Sequence, residues 1–192
     1  MRADEPSTTA EAVCYSRATD QRRDPKDRIL DDPYAKLFLG PVFRGTLATL
    51  EVSGRLGERA EQLFPGITTY VLARHRFIDD KIRASLEAGE MEQLVLLGAG
   101  YDTRAYRFAD LLDGRPVFEV DHPSTSRRKA EVIAEHADEL PKPNVKRVEI
   151  DFQTQSLAER LCAAGFKTGR PTFFSWEGVS MYLRRDAVKA TL

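Results

Sequence analysis

Few of the compositions that would mark a specialised class are present in this chain. It has only two cysteines, Cys14 and Cys162, far apart and in no CxxC pair. That argues against a structural zinc site and against a disulfide framework, and both are expected to be plain thiols. The three histidines, His75, His122 and His136, are scattered and never spaced i, i+4, so no metal is expected. Charge of one sign is also missing: 29 Lys plus Arg stand against 30 Asp plus Glu. No net field therefore favours nucleic acid or an anionic membrane. No apolar run approaches the roughly 20 residues that span a bilayer. The polar opening MRADEPSTTAEA lacks the apolar core of a signal peptide, so a cytoplasmic protein is expected. Internal repeats and low-complexity tracts are absent as well.

What is present is ordinary globular material, 42% hydrophobic and 31% charged over 192 residues, enough for a sizeable core. The chain changes character near position 93, which divides it into a mainly helical part, 1–93, and a part of alternating strands and helices, 94–192. In the first part, Asp31-Asp32-Pro33 reads as a capped start for a helix over Tyr34 to Leu39, and Gly40-Pro41 stops it. A longer helix is predicted from about Thr68 to Ala88, with Val71, Ile78, Ile82 and Leu86 at helical spacing and Gly89 as its stop.

Arg74 lies three residues after Val71 and four before Ile78, within the predicted apolar stripe. A buried guanidinium needs an anion, either a protein carboxylate or the carboxylate of a ligand. Arg76 falls on the other face beside Asp80, where an i, i+4 ion pair is worth only a few tenths of a kcal/mol.

The second part reads as an open α/β sheet. LVLLG from Leu94, PVFEV at 116–120, VKRVEI at 145–150 and PTFFSW at 171–176 are its strands, separated by helices over 103–112, 123–139 and 154–164. Right-handed crossovers make such strands parallel, and ligands bind at their carboxyl ends near the point where the strand order reverses. After the first strand comes Gly98-Ala99-Gly100. Glycines allow close backbone approach, and the free N–H groups of a following helix favour polar or anionic ligand groups, although such turns also carry glycine for steric reasons alone.

Acids end the remaining strands: Asp121, Asp151 and Glu177. Asp121 comes about 20 residues after the glycines, the interval at which a carboxylate accepts from both hydroxyls of a ribose; its other reading is a cap for the helix from Pro123. Asp151 reads either as a helix N-cap or as an acceptor for an adenine amino group. Glu177 closes a strongly apolar run, where a cationic or hydrogen-bonding ligand group would offset its burial. Tyr182, in VSMYL, reads as a core aromatic or as lining of an acceptor site.

Taken together, LLGAGYDTRAYRF, FEVDHP followed by STSRRK, VEIDF and FSWEGVSMYL, with SRATDQRRDPKDRILDDPYAKLF and ARHRFIDD upstream, resemble a known family. It is the leucine carboxyl methyltransferase and tetracenomycin polyketide carboxyl methyltransferase group of S-adenosylmethionine-dependent enzymes. The resemblance implies a Rossmann-like class I methyltransferase sheet of seven strands, with an N-terminal helical cap over the cofactor. It implies that Arg74 binds the methionine carboxylate, that Gly98 and Gly100 pass beneath the methionine and ribose, and that Asp121 holds the ribose. Asp151 and Phe152 would then contact adenine, and Glu177 would lie near the methionine end. It further implies methyl transfer to a carboxylate of a small-molecule acid or a protein C-terminus. The family pattern continues beyond Leu192, so the chain is expected to lack the last three strands and to expose a sheet edge that invites association, a homodimer included.

Two other functions fit part of the pattern. A nicotinamide-dependent oxidoreductase shares the glycine turn and the later acid, but Thr103 stands where GxGxxG requires its third glycine. A noncatalytic remnant would bind cofactor weakly, or associate with a partner, without turnover.

Overall fold

The structure is a computed structural model that describes residues 8–53 and 66–191; the opening MRADEPS lies outside the described residues. Two compact units are present: one comprises Thr8–Lys81 with Tyr101–Thr103, the other Ile82–Gly100 with Arg104–Leu192.

The helical unit contains α1 (Thr8–Asp20), α2 (Pro41–Ser53) and the greater part of α3 (Ile67–Glu87). Its core gathers Cys14 and Ala18 of α1 with Leu30, Ala35, Leu37 and Phe38. Asp32 acts as the expected cap, its Oδ1 accepting from the N–H groups of Tyr34 (3.2 Å) and Ala35 (3.1 Å). What it caps is a single 3-10 turn, Ala35–Phe38. Gly40-Pro41 ends that turn, and Pro41 at once opens α2, because proline has no N–H to lose in a first helical turn. Cys14 is buried with its Sγ donating to the Ala35 carbonyl at 2.9 Å, and Cys162 is exposed.

In α3 the buried stripe is Leu72, His75, Asp79, Ile82 and Leu86. Of the expected stripe, Ile82 and Leu86 are buried, whereas Val71, Arg74 and Ile78 are half-buried and the positions one residue on, Leu72, His75 and Asp79, are buried in their place, two of them polar. His75 satisfies its Nδ1 against the Val71 carbonyl one turn back, at 3.1 Å. Arg74 is half-buried, its guanidinium 5.5 Å from the centre of the exposed Tyr70 ring. Arg76 makes the predicted exposed pair, its Nε donating to both oxygens of Asp80 at 2.8 and 3.0 Å.

In the other unit, β1 (Gln93–Leu97), β2 (Val117–Asp121), β3 (Val145–Glu149) and β4 (Thr172–Trp176) form one parallel sheet in the order β3-β2-β1-β4. The order reverses at β1, whose carboxyl end carries the glycine turn. β1 is buried throughout, as its apolar run requires, whereas β3 and β4 at the sides are partly exposed. One sheet face presents Val95, Leu97, Phe118, Val120 and Val148, which pack with Ile150 and with Leu161 of a helix, Leu157–Ala163. That helix starts later than expected, because Ser156 caps it by accepting from Glu159 N–H at 3.3 Å.

The helix expected over 103–112 is divided into α4 (Arg104–Arg107) and α5 (Ala109–Leu112). Phe108 between them leaves helical geometry (φ −106°, ψ 16°) and is fully buried, with the Arg83 and Arg107 guanidinium groups 4.6 and 5.0 Å from its ring centre. The helix after β2 is α6 (Pro123–Glu135), shorter at its end than expected because His136 leaves helical geometry. No helix among the described residues is long and apolar enough to cross a membrane.

Candidate functional site

The carboxyl end of β1 turns sharply at Gly98 and Gly100, both with positive φ (66° and 49°). The amides of Gly98 and Ala99 donate to the Val120 carbonyl at 2.8 and 3.1 Å, so the turn is tied to the end of β2. Only glycine suits position 98: a Cβ there would lie 2.0 Å from Val179 Cγ2, and the backbone is left-handed.

Asp121, the last residue of β2, completes the connection. Its Oδ2 accepts the Gly100 N–H, and its Oδ1 accepts the His122 N–H at 2.6 Å. The helix-cap reading of Asp121 passes to His122, whose Nδ1 meets Ser124 Oγ at 2.9 Å and accepts the Ser124 N–H. Burial pushes the Asp121 carboxyl above the ordinary carboxylate range, while the Gly100 and His122 amides and then Lys129 and His122 pull it back. Each carboxylate oxygen receives one backbone donor and has lone-pair capacity for one more. A ribose diol matches that capacity, so these residues fit an adenosyl cofactor.

Beneath Asp121 on the same sheet face, two residues back, lies Glu119. Its side chain is buried with that of Lys129 from α6, Nζ to Oε1 being 2.8 Å, and Arg147 Nε stands 3.9 Å from Oε2. Arg147 also donates to the Tyr106 hydroxyl at 3.0 Å. Burial, followed by the charge of Glu119, pushes the Tyr106 hydroxyl upward and keeps it protonated.

The cation that answers Glu177 is a protein side chain. Arg104 Nη1 pairs with Glu177 Oε1 at 2.5 Å, the arginine fully buried and the glutamate partly exposed. Asp151 organises the turn after β3: it accepts from Gln153 N–H and Thr154 Oγ1, both at 2.9 Å, while the helix cap is Ser156. Phe152, half-buried, packs against the Val120 and Ile150 cluster. Tyr182 is half exposed and Met181 beside it more so.

The structure therefore brings together Gly98, Gly100 and Asp121, and it joins Glu177 to Arg104. Arg74 belongs to the helical unit. Sequence reasoning missed Arg104 and Lys129. An acid closing an apolar run signals that a cation is needed, but several arginines and lysines compete and spacing alone does not choose among them. No cluster of metal-ligating side chains occurs among the described residues.

Comparisons with known proteins identify the family. A family model described as leucine carboxyl methyltransferase matches residues 10–192. Relatives from Parafrankia, Saccharopolyspora erythraea and Rhodococcus jostii are 34%, 36% and 37% identical over 96%, 93% and 91% of this chain. They are described, provisionally, as S-adenosyl-L-methionine-dependent methyltransferases. The chain spans 56%, 58% and 56% of their respective lengths. With its parallel sheet, its glycine turn and a match over nearly its whole length, the chain belongs to the leucine carboxyl methyltransferase family.

Proposed function

We propose that this chain is the cofactor-binding portion of a cytoplasmic S-adenosylmethionine-dependent O-methyltransferase whose acceptor is a carboxylate, on a small molecule or at a protein C-terminus. The observation that carries the reading is Asp121, fixed at the end of β2 by the amides of the glycine turn and of His122. Residues 1–93 would be the cap and 94–192 the cofactor portion. S-adenosylmethionine supplies an activated methyl group. Asp121 would orient the ribose, Gly98 and Gly100 would let the backbone pass close beneath it, and Arg74 would hold the methionine carboxylate. Asp151 and Phe152 would border the adenine, Glu177 the methionine end, and Tyr182 the acceptor. A carboxylate acceptor is already ionised near neutral pH, so the chain needs no general base. Its work is then to align the two partners and keep water out.

The test is a calorimetric titration with S-adenosylmethionine and S-adenosylhomocysteine, with NAD as control and circular dichroism to confirm folding. Micromolar binding of the adenosyl ligands is expected, with Asp121→Ala and Arg74→Ala each weakening it more than about tenfold, roughly 1.4 kcal/mol. Unchanged affinity in both variants refutes the site assignment, and tight NAD binding instead refutes the cofactor.

A further inference from the structure

Tyr101–Thr103 follow the glycine turn directly in the chain, yet they cluster with the helical unit. Thr103, Arg17 of α1 and Asp32 are all fully buried there. Arg17 Nη1 donates to Asp32 Oδ2 at 2.7 Å and to Thr103 Oγ1 at 3.2 Å, and Nη2 donates to the Tyr101 carbonyl at 2.7 Å. Thr103 Oγ1 in turn donates to Asp32 Oδ2 at 2.7 Å. The threonine hydroxyl is thus acceptor and donor at once, inside a closed ring of Arg17, Asp32 and Thr103. The Phe38 ring stacks on Tyr101, centroids 5.7 Å apart and planes at 23°.

Burying such a set costs desolvation that apolar side chains of equal volume would avoid. What polar contacts add is direction: a hydrogen-bonded carbonyl cannot rotate without breaking its bond. The pinned Tyr101 carbonyl and Thr103 side chain lie one and three residues beyond Gly100, a residue with wide backbone freedom. Its N–H is the one that Asp121 accepts. A nucleotide turn carries a third glycine at position 103 for close packing; here a side chain occupies the position and anchors it.

We propose that Arg17, Asp32 and Thr103 are positioning residues that hold the glycine turn in its binding conformation without touching the cofactor. The inference rests on the adenosyl reading above. If the turn loses its anchor and adopts the binding conformation only a tenth of the time, cofactor affinity falls about tenfold even in a folded protein.

Thr103→Val keeps the shape and removes both hydrogen bonds, whereas Thr103→Ser keeps the hydroxyl. Each is titrated with S-adenosylhomocysteine beside wild type, and the urea midpoint is recorded. Thr103→Val is expected to fold and to bind about tenfold more weakly or worse, with Thr103→Ser staying close to wild type. A merely structural role would lower the midpoint and leave the affinity of the folded protein unchanged, and that result overturns the proposal. So does Thr103→Ser binding as poorly as Thr103→Val. Should Thr103→Val fail to fold, Arg17→Lys gives the same reading, since it keeps a cation beside Asp32 but loses the second nitrogen of the fork that holds the Tyr101 carbonyl. A wild type that binds no S-adenosylhomocysteine removes the adenosyl reading and this inference together; a binding wild type beside an equally tight Thr103→Val removes this inference alone.

Discussion

Lys129→Met is the substitution whose cost the structure specifies best. Lys129 and Glu119 are 2% and 3% exposed, and Lys129 Nζ lies 2.8 Å from Glu119 Oε1. Among the described residues no aligned hydrogen bond reaches either carboxylate oxygen of Glu119, so its burial leans on the charges of Lys129 and Arg147. Methionine matches the length of lysine and removes that charge. Breaking one partner of a buried pair costs about 3–5 kcal/mol. Arg147, 3.9 Å from the other oxygen and partly exposed, recovers some of this, which points to the lower end, about 3 kcal/mol. Against a total stability of about 5–15 kcal/mol the variant remains foldable. With a urea slope of about 1–3 kcal/mol/M its midpoint should drop by roughly 1.5 M. Adding Glu119→Leu removes the stranded carboxylate and should restore most of the loss, because an apolar pair of similar volume is often as stable as the ionic one. A cost below about 1 kcal/mol for Lys129→Met, or a deeper loss on adding Glu119→Leu, would show that Lys129 is not what offsets the buried carboxylate.

Gly98→Ala should destabilise by about 1–3 kcal/mol through the contact with Val179, and less in a Val179→Ala background; equal costs in both backgrounds would show that the contact carries none of the effect. Asp121 should leave a mark on the pH dependence of stability. Its folded pKa is raised, so the folded state binds the proton more tightly than the unfolded one. Its contribution is fully present below the ordinary carboxylate value and is lost as pH rises through the shifted one. The stability difference between wild type and Asp121→Asn, read from urea midpoints, should therefore shrink as pH rises across the carboxylate range; growth over the same range would reverse the assigned direction.

The sheet was legible because each of its strands is an apolar run bounded by turn residues, and burial on both faces of β1 and β2 leaves such runs little alternative. That Asp121 meets the glycine turn was legible from its interval after the glycines. Two features were not. Helical periodicity counts apolar residues, so it found Ile82 and Leu86 but extended the α3 stripe to Val71 and Ile78; the first half of the helix instead buries Leu72, His75 and Asp79, and no hydrophobicity pattern selects the last two. Charge partners were equally hidden. Arg104 and Glu177 are 73 positions apart and Arg17 and Thr103 are 86 apart, distances at which only the fold decides which residues meet.

The strand order also sets a hierarchy of chain closure. Joining Gly100 to Asp121 closes a segment of 21 residues, whereas joining Arg104 to Glu177 closes one of 73. For flexible loops the longer closure costs about 1.1 kcal/mol more in chain entropy. One half of the candidate site is therefore a local construction, complete once β1 and β2 are side by side. The other half depends on the arrival of β4, and the charge of Arg104 meets Glu177 only when that long loop has closed.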